Sequence, residues 1–435
     1  MRYPTTASQR AGGLPRRGMA VAALAVLLLA VTGCGDDDDD DDSSTPGPTD
    51  SEGAADLLGP EDEATGDPVK IGMVSDGATD AFDNTDELRS AEATAEYWNT
   101  HRGGVGGRPI EVVTCETGAD PAGATDCANQ LVEEEVVAVA LSQSGVATEV
   151  WEPLHAAGVP TMWFQTSGQD IMVDTESSFV LINPLTGQFG PTIAVAESEG
   201  ADQVAFVVIN VPQALEGLEA MGPEVLGNAG LDYDVIPIDP GTADMTVQMQ
   251  QVVDSGAEVV QITGNDAFCI AAFNGLEAVG YDGAIAAISQ CITDATREAV
   301  AGDILEGTAI TSTVALKAAD DPTYQLYREV MDAYGEDVTD VDNNTAMGAF
   351  AAMGALAISL EGISGDITPA TVIETIKAMP EQELPGAGGM RFQCGGSATD
   401  MAPAVCSNEF LKTELDAEGE PTSYEAVDAT DALPQ

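Results

Sequence analysis

The chain runs to 435 residues, too long for one compact core and suited to two or three domains, and it is 44% hydrophobic, enough to fill them. Against 14 Lys+Arg stand 74 Asp+Glu, a formal net charge of −60. A field of that sign repels phosphate backbones and anionic headgroups, which excludes nucleic acid as a partner; acids spread along the chain from Asp36 onward read as a solubility device.

Residues 1–33 have the three parts of a secretion signal: a basic stretch ending in Arg16-Arg17, an apolar run from Met19 to Val31, and small residues leading into Cys34. The apolar run is too short to span a bilayer. Val31-Thr32-Gly33-Cys34 resembles the lipobox of bacterial lipoproteins, which implies cleavage before Cys34, lipidation of its thiol and a membrane anchor. Residues 34–68 carry an unbroken Asp run, Asp36 to Asp42, and almost no large apolar side chain, so they are expected to form a disordered acidic tether. With Cys34 set aside, the cysteines fall as sequence neighbours, Cys115/Cys127, Cys269/Cys291 and Cys394/Cys406, and are expected to pair so outside the cytoplasm. Their spacing fits no zinc site: there is no CxxC, and His101 and His155 have no second ligand near them in sequence. No metal or other cofactor is expected.

From Val69 the pattern alternates. VKIGMV (69–74) reads as a buried strand. A helix follows, capped near Thr85 or Asp86, with Leu88, Ala91, Ala95 and Trp98 at helical spacing and Gly103-Gly104 to stop it. Strands are expected at 110–115, 136–141 and 159–164, with a helix opened by Asp120-Pro121 and another across Trp151. After Asn183-Pro184 the alternation restarts, with strands at 203–210, 233–238, 258–263, 284–289 and 307–314. Two such βα runs predict an α/β protein of two doubly wound parallel-sheet lobes. Beyond Pro322 the chain reads as helices over 322–335, 343–363 and 368–379. The second of these, rich in Ala, Gly and Met, reads as a helix packed tightly in a core.

VKIGMVSDGATDAFDN, then EYWNTHRGGVGGRPIEVVTCETGADP, resembles the opening of the branched-chain amino-acid-binding (leucine-binding-like) family of ABC-transporter substrate-binding proteins, type I periplasmic binding fold. VVAVALSQSGVATEV, HAAGVPTMWFQTSG, VVINVPQALEGLEAMG and EVVQITGNDAFCIAAFNGLEAVGY extend the resemblance over 69–416. It implies two lobes joined by a three-crossing hinge: 69–184 with 313–400 as lobe 1, 185–312 with 401–416 as lobe 2, and 417–435 as a flexible tail. It further implies a monomer that holds a small molecule and hands it to an ABC transporter permease.

Ligands of open parallel sheets sit at the carboxyl ends of strands, so the strand-end loops are the candidates. In lobe 1 these are Ser144 and Gly145, then Gln165, Thr166 and Ser167. The resemblance matches Ser144 to a serine that holds a ligand carboxylate together with backbone N–H groups of the next helix, and Phe82 to an aromatic that covers the ligand. In lobe 2 the candidates are Asn210, Asn265, Asp266 and Gln290. Here the sequence departs from the family: Ala214 and Asn265 stand near typical tyrosine contacts, and Gln290 stands where an acid binds the ligand's ammonium. Asp266 is the nearest replacement charge. These changes point away from branched-chain amino acids and leave an amino acid, an amide or a small carboxylic acid as ligand classes. No HExxH, P-loop or GxSxG motif is present, so no enzyme is expected. A sensor working with a separate signalling partner is the alternative reading.

Overall fold

The computed structural model describes residues 57–79, 82–396 and 398–433, the side chains of 212, 213 and 216 aside. Cys34, the secretion-signal stretch and the Asp run lie outside the described residues.

Val69–Ser75 (β1), Asp86–His101 (α1), Ile110–Glu116 (β2), Pro121–Glu133 (α2), Ala138–Leu141 (β3), Ala147–Ala156 (α3), Thr161–Trp163 (β4), Gln169–Met172 (α4) and Ser178–Val180 (β5) follow in order. Their strands form a wholly parallel sheet, β2-β1-β3-β4-β5. Every residue of β3 is buried, as a strand covered by helices on both faces requires. α2 begins where Asp120 accepts hydrogen bonds from the Ala122 and Gly123 N–H groups; Pro121 sits in the first turn, where its missing donor has no helical partner to lose.

The second lobe is built from Pro184–Glu199 (α5), Gln203–Ile209 (β6), Pro212–Asn228 (α6), Asp232–Ile238 (β7), Thr246–Ser255 (α7), Val259–Thr263 (β8), Asp266–Val279 (α8), Ala284–Ile288 (β9), Asp294–Ala299 (α9), Gly302–Leu305 (α10) and Ala309–Ser312 (β10). The chain then returns to the first lobe with Pro322–Tyr334 (α11), Asn344–Ser359 (α12), Pro369–Lys377 (α13) and the two-residue strands Gln382–Glu383 (β11) and Arg391–Phe392 (β12). Glu409–Leu415 (β13) and Pro421–Asp428 (β14) complete the second sheet, β14-β13-β10-β9-β8-β6-β7, parallel from β10 to β7 and antiparallel at β13 and β14. The expected α/β architecture of two parallel-sheet lobes is present.

α12 is the Ala/Gly/Met helix of the sequence, and it is buried on nearly every side. Ser90 Oγ of α1 donates to the Ala346 carbonyl at 2.7 Å, and Met347, Phe350 and Met353 fill the core beneath β1 and β3. Small residues let it approach so closely: a Cβ on Gly354 would lie 3.1 Å from Pro385, and one on Gly348 2.6 Å from Ser142 Oγ.

The chain crosses between lobes at Asn183–Pro184, between Ser312 and Ala315, and at Ser407–Asn408. The first and third crossings are tied together. Asn183 Nδ2 donates to Asn408 Oδ1 at 2.9 Å, and the Asn183 N–H donates to the Ser407 carbonyl at 3.1 Å.

Three segment assignments need correction. Of the expected flexible tail 417–435, the described residues 417–433 are not free: β14 pairs along β13, and Leu433 is buried. Within 401–416, residues 404–406 belong with the first sheet, because Val180 donates to the Ala404 carbonyl and accepts from the Cys406 N–H. The end of the acidic stretch is also ordered. Asp62 and Ala64 donate to the carbonyls of Thr100 and Asn99 at the end of α1, and Leu58 packs on the core.

Candidate functional site

The carboxyl ends of β1, β3 and β4 open into a cavity of about 610 Å³. Asp76 reaches it from the loop after β1, Gln143, Ser144 and Gly145 from the loop after β3, and Gln165, Thr166 and Ser167 from the loop after β4. Phe82, 42% exposed, stands at its rim with Asn84. A second cavity of about 410 Å³ shares Gln143 and Gln165 with the first and runs on to lobe 2. There it meets Gln188 of α5, Ser289 and Gln290 beyond β9, and Thr311 to Thr313 at the end of β10. Asn344 and Thr345 at the start of α12 close its lobe 1 side. Gln165 Nε2 donates to Gln143 Oε1 at 2.8 Å, so the two shared side chains hold each other in place.

Phe82, Ser144, Gly145, Gln165, Thr166 and Ser167 thus line the first cavity, and Gln290 the second. Asn210, Asn265 and Asp266 line neither. Asn265 caps α8, its Oδ1 accepting from the Phe268 N–H at 3.0 Å. Asp266 is exposed and accepts from the Ala267 N–H. Asn210 donates to Asp239 Oδ1 on the surface. Asn265 precedes an acid and an apolar run, which is a helix-start signature, and the cap has claimed its side chain.

Asp76, Gln143, Asn84, Gln188 and Thr345 were not singled out from the sequence. Asp76 and Gln143 carried a usable signal, since both lie in loops directly after strands. Asp76 is 4% exposed, and its carboxylate collects three donors. Thr117 Oγ1 and Ser144 Oγ both donate to Oδ1 at 2.7 Å, and the Gly145 N–H donates to Oδ2 at 2.7 Å. Ser144 Oγ in turn accepts from the Val146 N–H at 3.1 Å. The Gly145 and Val146 N–H groups just before α3 are therefore taken up inside the protein.

Behind this network lies Glu87, fully buried at the start of α1 beside the Ser75 and Ser142 hydroxyls. Burial pushes its carboxyl up to about 8; the Ser75 and Ser142 hydroxyls oppose the rise and the neighbouring Asp76 charge adds to it.

Disulfides join Cys115 to Cys127, Cys269 to Cys291 and Cys394 to Cys406. The second fastens the first turn of α8 to the short turn Ser289–Cys291 that presents Gln290 to the cleft. Among the described residues, no group of three or more His, Cys, Asp or Glu is placed to hold a metal ion. No helix among them is long and apolar enough to cross a membrane.

Two lobes with their strand tips turned toward a shared polar cleft define a hinged binding protein. The model of the periplasmic binding protein family matches residues 68–406, and the chain belongs to that family. No curated relative matches the chain. Among solved structures, a putative branched-chain amino acid ABC transporter protein from Rhodospirillum rubrum is 17% identical with a TM-score of 0.67, covering 82% of this chain and 100% of that one. The substrate-binding protein LivJ from Streptococcus pneumoniae, in complex with isoleucine, is 16% identical with a TM-score of 0.56, covering 83% and 99%. A solute-binding protein from R. palustris, in complex with 4-hydroxybenzoate, is 20% identical with a TM-score of 0.58, covering 83% and 97%. At these identities the likeness shows the fold. The family consists of extracytoplasmic solute-binding proteins, not enzymes.

Proposed function

We propose that this protein is a lipid-anchored binding component that captures a small polar metabolite between its lobes and delivers it to an ABC importer. The observation that carries the reading is the pair of cavities joined through Gln143 and Gln165, lined by strand-end loops of both lobes. A ligand touching both walls favours the closed form, and a permease can tell closed from open. The anchor rests on Cys34 and its lipobox-like setting. A thermal-shift screen of amino acids, amides and small acids tests ligand capture: a ligand raises Tm in a concentration-dependent way, and silence across these classes refutes it. Labelled fatty acid should enter the wild-type protein and be lost in Cys34→Ala; equal labelling would refute the anchor.

A further inference from the structure

The cleft has an unusual charge inventory. Among the described residues, Asp76 is the only charged side chain lining either cavity, and no Lys, Arg or His lines them. The rest of the polar lining is neutral, dominated by the amides of Gln143, Gln165, Asn84, Gln188 and Gln290 and by hydroxyls. The start of α3, where backbone N–H groups and a serine hydroxyl converge, is the place in lobe 1 best suited to a ligand anion. A carboxylate of the protein already stands beside it: Asp76 accepts from Ser144 Oγ, Thr117 Oγ1 and the Gly145 N–H, each at 2.7 Å.

A ligand carboxylate arriving here would find the Ser144 hydroxyl and the Gly145 and Val146 N–H groups already engaged, a like charge beside it and no cation to offset it. A carboxylate has about four acceptor sites, so three internal donors leave Asp76 able to take one more from the cavity side. Glu87, buried directly behind, supplies no cation either.

From this we infer that the ligand has no free carboxylate at this end and presents an N–H donor to Asp76, as an amide, urea or amine does. Asp76 serves as a built-in substitute for the ligand carboxylate, and the amide-rich remainder of the cleft completes the recognition. The inference rests on reading the cleft as the ligand site.

The test measures binding to the purified protein by calorimetry and thermal shift. The probes are matched sets that share a skeleton and differ in one group: isovalerate, isovaleramide and isoamylamine, and benzoate, benzamide and benzylamine. For the wild type, the amide or the amine in a set is expected to bind at least tenfold more tightly than the carboxylate, about 1.4 kcal/mol. An amine-selecting site loses at least tenfold in Asp76→Asn, whereas an amide-selecting site changes less. Asp76→Ala frees the Ser144, Thr117 and Gly145 donors and should reverse the preference, so that carboxylates gain at least tenfold; circular dichroism confirms that the variant is folded. If the wild type binds the carboxylate as well as its amide and amine counterparts, the inference is overturned while the cleft stands as a ligand site. If the wild type and Asp76→Ala are both silent to every probe and to the broader solute screen, the ligand-site reading falls and this inference with it.

Discussion

Replacing Glu87 with glutamine should change how stability depends on pH in a way set by the burial of one side chain. The folded protein holds the Glu87 proton up to about pH 8, whereas the ordinary value is 4.5. Between those limits the native state binds more protons than the unfolded chain, so this group makes stability fall as pH rises. The slope is about 1.4 kcal/mol per pH unit, and the whole interval amounts to roughly 5 kcal/mol, or about 3 to 5 after local relaxation. Glutamine stays neutral throughout and carries no such slope. It brings a buried N–H₂ of its own, so the offset at low pH is not diagnostic; the difference in slope is. Urea unfolding of wild type and Glu87→Gln at pH 5, 6, 7, 8 and 9 supplies the curves. The variant should gain on the wild type steadily up to about pH 8 and then run parallel to it. Curves parallel over the whole range would show that Glu87 ionises like a surface acid and would refute the argument from burial.

Two further outcomes follow from packing and charge. Gly348→Ala should destabilise the protein by about 1–2 kcal/mol despite alanine's better helix propensity, because the new methyl group would lie 2.6 Å from Ser142 Oγ and 3.2 Å from Phe164; unchanged denaturant midpoints would contradict the tight seating of α12. With a net charge of −60, the folded chain repels itself, so Tm should rise by several degrees as NaCl goes from about 0.1 M to about 1 M, where the screening length shortens from about 10 Å to about 3 Å; a flat or falling Tm would show that the repulsion has no bearing on stability.

The βα units were legible because buried parallel strands are continuous apolar runs and the intervening helices carry their own start signals. The expected strand 203–210 is found as Gln203–Ile209, and the expected helix 343–363 as Asn344–Ser359. Elements without such a signature escaped. β5 is only Ser178–Val180, too short for a pattern. β14 is a polar edge strand whose residues are half-buried or exposed, so neither a run nor a clean alternation marks it. The interleaving of the lobes depends on contacts remote in sequence, and only the family resemblance supplied it. In the cleft, the strand-end rule located the loops of lobe 1 but not which side chains answer to the cavity and which to their own backbone. Asn265 was lost to its helix, and Asp76 was overlooked because a carboxylate among anion-favouring donors looks out of place until the structure shows it satisfied there.

The amide clasp between Asn183 and Asn408 has a mechanical consequence. Two of the three straps between the halves are stitched into a single ribbon, leaving the segment from Ser312 to Ala315 as the one separate strap. A body held at two such pivots turns about the line through them and resists sliding or shearing. An opening about this pair of pivots is expected to follow one fixed arc that brings the same side chains back into register.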